Sequence, residues 1–209
     1  MQTVRLFCVV LVSIVANMLT CVNIANCAGA ASTGQTAVFA GGCFWGVDAV
    51  FRHVRGVAEV ESGYAGGTAL TANYENVSTG RTTHAESVRI VFNPAIVSYD
   101  KLLDIFFSVV HDPTQLNRQG PDVGMQYRSV IFFTSMKQEA QAKNFIKRLS
   151  AAHTFSSPIV TQVVALKQFY PAEKHHQNYL ASHLDQPYII TNDLPKLEQL
   201  RKRFPSLYR

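Results

Sequence analysis

Charge is scarce in this chain. Asp, Glu, Lys and Arg make up 16% of its 209 residues, against 47% hydrophobic. Such a composition can bury a sizeable core and excludes a disordered or acidic solvating segment. The length fits one domain of ordinary size, or a domain with a targeting segment, and excludes a large multidomain machine. Basic side chains exceed acidic ones by a formal +5. No basic patch alternates with stacking aromatics, so this excess does not argue for nucleic acid. Cysteine is sparse as well: four residues, Cys8, Cys21, Cys27 and Cys43, with Trp45 the one tryptophan.

The N-terminus is where charge is scarcest. From Met1 to Ala30 the single charged residue is Arg5, followed by an apolar run from Leu6 through Val12 and on to Met18-Leu19. This is the pattern of a signal peptide, and Ala28-Gly29-Ala30 has the small-x-small form of a cleavage site. Cleavage after Ala30 would leave residues 31–209 as a single catalytic domain. An uncleaved anchor and a lipid-modified Cys21 or Cys27 are the alternatives. Cleavage would also leave Cys43 as the sole cysteine, with no intrachain disulfide possible.

Along the remaining chain, Thr36–Ala40 reads as a short buried strand broken by Gly41-Gly42. Phe44, Val47, Phe51 and Val54 then recur at helical spacing. Val57–Tyr64 is a strand, and Gly63, Gly66 and Gly67 bracket a loop running to Glu86. Alternation from Ser87 to Phe92 gives another strand, ended by Pro94. Ser98 is a plausible N-cap for a helix Tyr99–Val110. His111–Arg128 shows neither period and is long enough to expect a functional loop. Ser129–Phe133 is a strand, and Ser135 with Gln138 has capping-box spacing for a helix ending near Ala152. Ile159–Leu166 is a strand, a short helix follows Pro171, and a short basic helix is expected over Asp193–Arg203. The order of strands and helices predicts an α+β class: a two-layer sandwich around two split βαβ units, the ferredoxin-like arrangement, with long functional loops and an irregular C-terminal region.

Cys43 falls where a strand turns into a helix. There, unpaired N–H groups and the positive end of the helix dipole favour a thiolate, which makes it a candidate nucleophile. The two preceding glycines allow close approach of backbone or ligand. Phe44 and Trp45 cannot both face the core with Cys43, so a large aromatic is expected beside the thiol, a wall suited to a small apolar group such as a methyl.

Gly42-Cys43-Phe44-Trp45-Gly46 resembles the signature of the A-type peptide methionine sulfoxide reductases. The resemblance continues through Gly63-Tyr64-Ala65-Gly66-Gly67, Tyr74, His84-Ala85-Glu86, His111-Asp112-Pro113-Thr114, Gln119-Gly120, Asp122, Gln126-Tyr127-Arg128-Ser129, Phe169-Tyr170, Ala172-Glu173 and His176-Gln177. It implies that Cys43 attacks the sulfur of S-methionine sulfoxide, free or in oxidised proteins, and becomes a sulfenic acid. Glu86 would give a proton to the sulfoxide oxygen, and Tyr74 and Tyr127 would hydrogen-bond it. Phe44 and Trp45 would hold the substrate methyl, and Asp122 would orient the substrate amide. A poor leaving oxygen needs such an acid, kept neutral by burial. No bound cofactor or metal is implied, and the protein is expected to be a monomer.

The tail departs from many relatives, which carry recycling cysteines there. Residues 193–203 hold none, so regeneration is expected from an external thiol, a thioredoxin-like protein or a small thiol. Asn76-Val77-Ser78 is a glycosylation sequon, and a glycan there would crowd Tyr74. This favours a bacterial periplasm over a eukaryotic secretory pathway.

Three rival readings stand beside this one. A thiol hydrolase would pair Cys43 with His84, His111 or His176. A zinc deaminase is suggested by His84-Ala85-Glu86 but lacks the Pro-Cys-x-x-Cys partner. A non-catalytic module could bind methionine-rich segments. His175, His176 and His183 have a spacing compatible with metal ligation, though such histidines are more often solvated.

Overall fold

The computed structural model describes residues 34–209. The expected export segment, its cleavage point and Cys8, Cys21 and Cys27 lie outside the described residues.

The chain runs β1 (Gln35–Ala40), α1 (Phe44–Arg52), β2 (Val57–Ala65), a short α2 (Tyr74–Val77), β3 (Ala85–Phe92) and α3 (Tyr99–Ile105). A small hairpin, β4 (Arg118–Gln119) and β5 (Asp122–Val123), then leads to β6 (Val130–Phe133), α4 (Met136–Ala151), β7 (Gln162–Ala165), β8 (Phe169–Pro171) and α5 (Leu194–Arg203). The main sheet has the order β7-β6-β1-β3-β2-β8. Its central four strands, β6-β1-β3-β2, are antiparallel to one another, which is the expected ferredoxin-like core. β6 and β7 pair in parallel across α4, and β8 extends the other edge beside β2.

Side-chain alternation gives the sheet two apolar faces. On β1, Ala37 and Phe39 join the main core with Phe44, Val47 and Phe51 of α1 and Leu102 and Leu103 of α3. Val38 and Ala40 join a smaller cluster with Val130, Phe132 and Phe169. The helices are started as their sequences suggest. Ser98 Oγ accepts from Lys101 N at 3.2 Å and Ser135 Oγ from Gln138 N at 3.3 Å, caps worth about 1 kcal/mol each.

Three boundaries differ from expectation. The helix over Tyr99–Val110 is α-helical to Ile105 and widens into a π turn over Phe106–Val110. The reciprocal half of the capping box is displaced by one residue: Gln138 Oε1 accepts from Thr134 N and Oγ1, each at 3.0 Å, while Gln138 Nε2 donates to Thr36 O at 2.7 Å and ties α4 to β1. Most consequential is Glu86, expected in a loop. It lies inside β3, in register with Tyr64 of β2, because the buried Ala85 and Val88 extend the strand toward the site.

Candidate active site

β1 ends at Ala40, and Gly42 turns the chain with φ +97° before Cys43 caps α1. A side chain at Gly42 would be strained at this φ and would press on Gln119. Cys43 is buried and, among the described residues, unbridged.

The expectation of a resting thiolate is not met. Burial holds the Cys43 pKa well above its ordinary value, reinforced by Glu86 and Asp193, while the Trp45 N–H opposes this. The helix N-terminus cannot compensate, because its first donor, Phe44 N, is taken by Glu86 Oε2 at 3.0 Å. Cys43 therefore rests as a neutral thiol, and ionisation must accompany the reaction.

Glu86 is 2% exposed, and burial pushes its pKa up to about 8, against the Phe44 N–H, which lowers it. It carries a proton at neutral pH, as its proposed task requires. Tyr74 and Tyr127 are half-buried phenols whose pKa values are raised first by burial and then by Glu86. Both stay protonated and able to donate. Tyr74 opens α2, and its backbone N donates to Glu173 Oε1 at 2.9 Å. Tyr127 ends a 3₁₀ turn over Met125–Tyr127 within the aperiodic stretch.

The two aromatics after Cys43 divide as expected. Phe44 is buried against Tyr64 and His176, with ring centroids 5.8 and 5.2 Å away. Trp45 stays half-buried, stacks on Tyr179 at 3.8 Å and meets the edge of Tyr188 at 6.1 Å. Its Nε1 donates to His176 Nδ1 at 3.2 Å. Asp122, on β5, accepts from the Tyr188 hydroxyl at 2.5 Å and shares with Cys43 a cavity of about 210 Å³.

Several residues that hold this site have no role assigned to them by the sequence. Glu173 Oε2 also accepts from Tyr64 Oη at 2.9 Å, so one carboxylate ties α2 to β2. Gln177 bonds Ser62 N and O, each at 2.9 Å, in place of a further strand. Tyr188 leads into a π turn over Ile189–Asp193, and Asp193 packs over Gly46 in the first turn of α1. Tyr188-Ile189-Ile190, an apolar run inside an aperiodic tail, was the available signal.

The histidines of the rival readings are occupied elsewhere. His111 is bonded to Phe106 O at 3.0 Å and Ser129 Oγ at 2.7 Å. His84 is bonded to Thr68 O at 3.0 Å, and His183 to Tyr179 O at 2.8 Å. With His176 engaged by Trp45, these contacts give the hydrolase reading no histidine base on the thiol. Among the described residues no group of three His, Cys, Asp or Glu is placed to hold a metal.

A neutral thiol at a strand-to-helix turn, backed by a proton-bearing carboxyl and ringed by phenols, defines a cysteine-dependent enzyme on a ferredoxin-like α+β scaffold. Comparison with known proteins makes this specific. Residues 35–207 match the family model described as peptide methionine sulfoxide reductase. The chain is 52% identical over 179 residues to the peptide methionine sulfoxide reductase MsrA 2 of Mesorhizobium japonicum, covering 86% of this chain and 92% of that one. It is 45% identical over 175 residues to MsrA of Pasteurella multocida, covering 84% and 99%. Reduced Mxr1 of Saccharomyces cerevisiae has a similar structure, with TM-score 0.70 and 30% identity over 75% of this chain and 89% of that one. The protein belongs to the peptide methionine sulfoxide reductase family.

Proposed function

We propose that this protein is a peptide-methionine (S)-S-oxide reductase, returning S-methionine sulfoxide to methionine in oxidised proteins or as the free amino acid. The observation that carries the reading is Glu86, a buried carboxyl that keeps its proton at neutral pH while capping the helix that bears Cys43. As the Cys43 sulfur attacks the sulfoxide sulfur, Glu86 protonates the oxygen and Tyr74 and Tyr127 donate hydrogen bonds to it. The oxygen passes to Cys43, which becomes a sulfenic acid, and methionine departs. Glu86 recovers its proton from the thiol, which also explains why a resting thiolate is unnecessary. Phe44 and Trp45 form the methyl pocket, and Asp122, held by Tyr188, orients the substrate amide.

Regeneration uses an external thiol, a small molecule or a thioredoxin-like protein, with no bound cofactor. The protein works as a monomer whose residues 1–30 direct export, to a bacterial periplasm in the reading that the sequon near Tyr74 supports. The test of function is turnover of the two sulfoxide epimers of a methionine peptide with dithiothreitol. The S epimer is reduced and the R epimer is not; equal rates would refute the reading.

A further inference from the structure

We propose that Lys196, positioned by Asp193, receives the incoming thiolate of the reductant when the Cys43 sulfenic acid is reduced. This rests on the reading of Cys43 as the nucleophile. The cavity that reaches Cys43 is lined by the β4–β5 hairpin and by Tyr188, Asn192 and Lys196; Glu86, Tyr74 and Tyr127 do not line it. A larger cleft of about 650 Å³ shares Gln119, Asn192 and Lys196 with it and continues past His111 and Arg203. Lys196 thus stands where the route from outside meets the thiol cavity, and it is the cation among the cavity's lining residues.

The lysine is held in place. Its Nζ donates to Asp193 Oδ1 at 3.1 Å, with the lysine side chain 18% exposed and the aspartate fully buried. Asp193 Oδ2 is buried without a hydrogen-bond partner among the described residues. Both groups press on the first turn of α1, where a Cβ on Gly46 would lie against Asp193 Oδ1 and 2.7 Å from Lys196 Nζ. A buried ion pair is a poor stabilising device, since desolvation offsets its attraction. Its place beside the nucleophile points to use.

The chemistry supplies that use. Thiol attack requires the thiolate, yet Asp193 and Asp122 bias the surroundings of Cys43 against a further negative charge. An ammonium at the entrance offsets that bias. The reductant sulfur then attacks the Cys43 sulfur, forming the S–S bond as the S–O bond breaks. The hydroxyl leaves as water with the proton the thiol gave up. The reductant sulfur is oxidised and the Cys43 sulfur reduced, and a second thiol resolves the mixed disulfide to release Cys43.

The test separates the two half-reactions in the full-length protein. Rapid quench without thiol reads the methionine burst; adding dithiothreitol to the oxidised enzyme reads the loss of sulfenic acid. In Lys196→Met the regeneration rate should fall by about tenfold or more beyond any change in the burst rate. Lys196→Arg, which keeps the charge, should recover most of it, and Asp193→Asn should fall between. If Lys196→Met does not fold, Lys196→Gln provides the same comparison. Equal slowing of both halves, or unaltered regeneration, would overturn the role of Lys196. Absence of any burst in the wild type would instead overturn the reading of Cys43 beneath it.

Discussion

The residues around Cys43 come from two kinds of scaffold. Glu86 belongs to a central strand paired on both sides, by β1 and β2, and its carboxyl meets the helix that β1 feeds. Asp122, Tyr188, Asp193 and Lys196 come from the β4–β5 hairpin, a π turn with the residue that leads into it, and the start of α5, and are fixed by side-chain bonds such as Tyr188 to Asp122. The proposed proton donor is thus fixed by the sheet, whereas the entrance to the thiol is assembled from turns. Proton transfer needs tight geometry, since misplacement by about 1 Å can cost about a hundredfold. An entrance of the kind proposed here for the reductant tolerates the looser frame.

The largest effect should come from Cys43→Ser, which removes the nucleophile with little change in volume. Methionine formation should vanish while the thermal transition is retained; activity near wild type would place the chemistry elsewhere. Next comes Glu86→Gln, which keeps a hydrogen-bond donor but cannot transfer a proton. The single-turnover burst should slow by about ten- to a thousandfold, and an unaltered burst would assign the acid to another group. The same carboxyl sets a pH limit. Because its pKa is raised from 4.5 to about 8, its acid form and hence the wild-type burst rate should decline as pH rises through that value. Linkage has the same sign, the stability Glu86 contributes being complete below its ordinary value and lost through about 8. Glu86→Gln should remove that limb of the rate profile.

On the side built from turns the expected effects are smaller. Glu173→Ala removes the acceptor for Tyr64 Oη and Tyr74 N, a loss of about 1–3 kcal/mol for bonds to a partly exposed carboxylate. The melting temperature should fall by about 2–4 °C per kcal/mol, with a moderate drop in burst rate as Tyr74 loses its anchor. A variant as stable as wild type would show that the turns are held by other contacts.

Which residues were legible in the sequence follows the same division. Cys43 at the strand-to-helix turn, the paired strands and the caps Ser98 and Ser135 were visible because period and capping chemistry are local. The family resemblance supplied Glu86, Tyr74, Tyr127 and Asp122. Local period places Glu86 in a loop, since its strand character comes from pairing with Tyr64 of β2. Tyr188, Asp193 and Lys196 could not be read in this way. They reach Cys43 through packing of α5 and its preceding turn on α1, and no sequence period records that approach. The thiol's resting state departs from the local expectation for a related reason: the helix N-terminus is local, but the burial and the carboxylates that outweigh it are not.

Whether Cys43 alone carries the oxidation can be read by counting methionine released per subunit without any thiol, followed by intact-mass measurement after trapping with a sulfenic-acid reagent. One methionine per subunit and one trapped adduct, located on Cys43, are expected. A yield of two per subunit, or an intrachain disulfide joining Cys43 to Cys21 or Cys27, would contradict this.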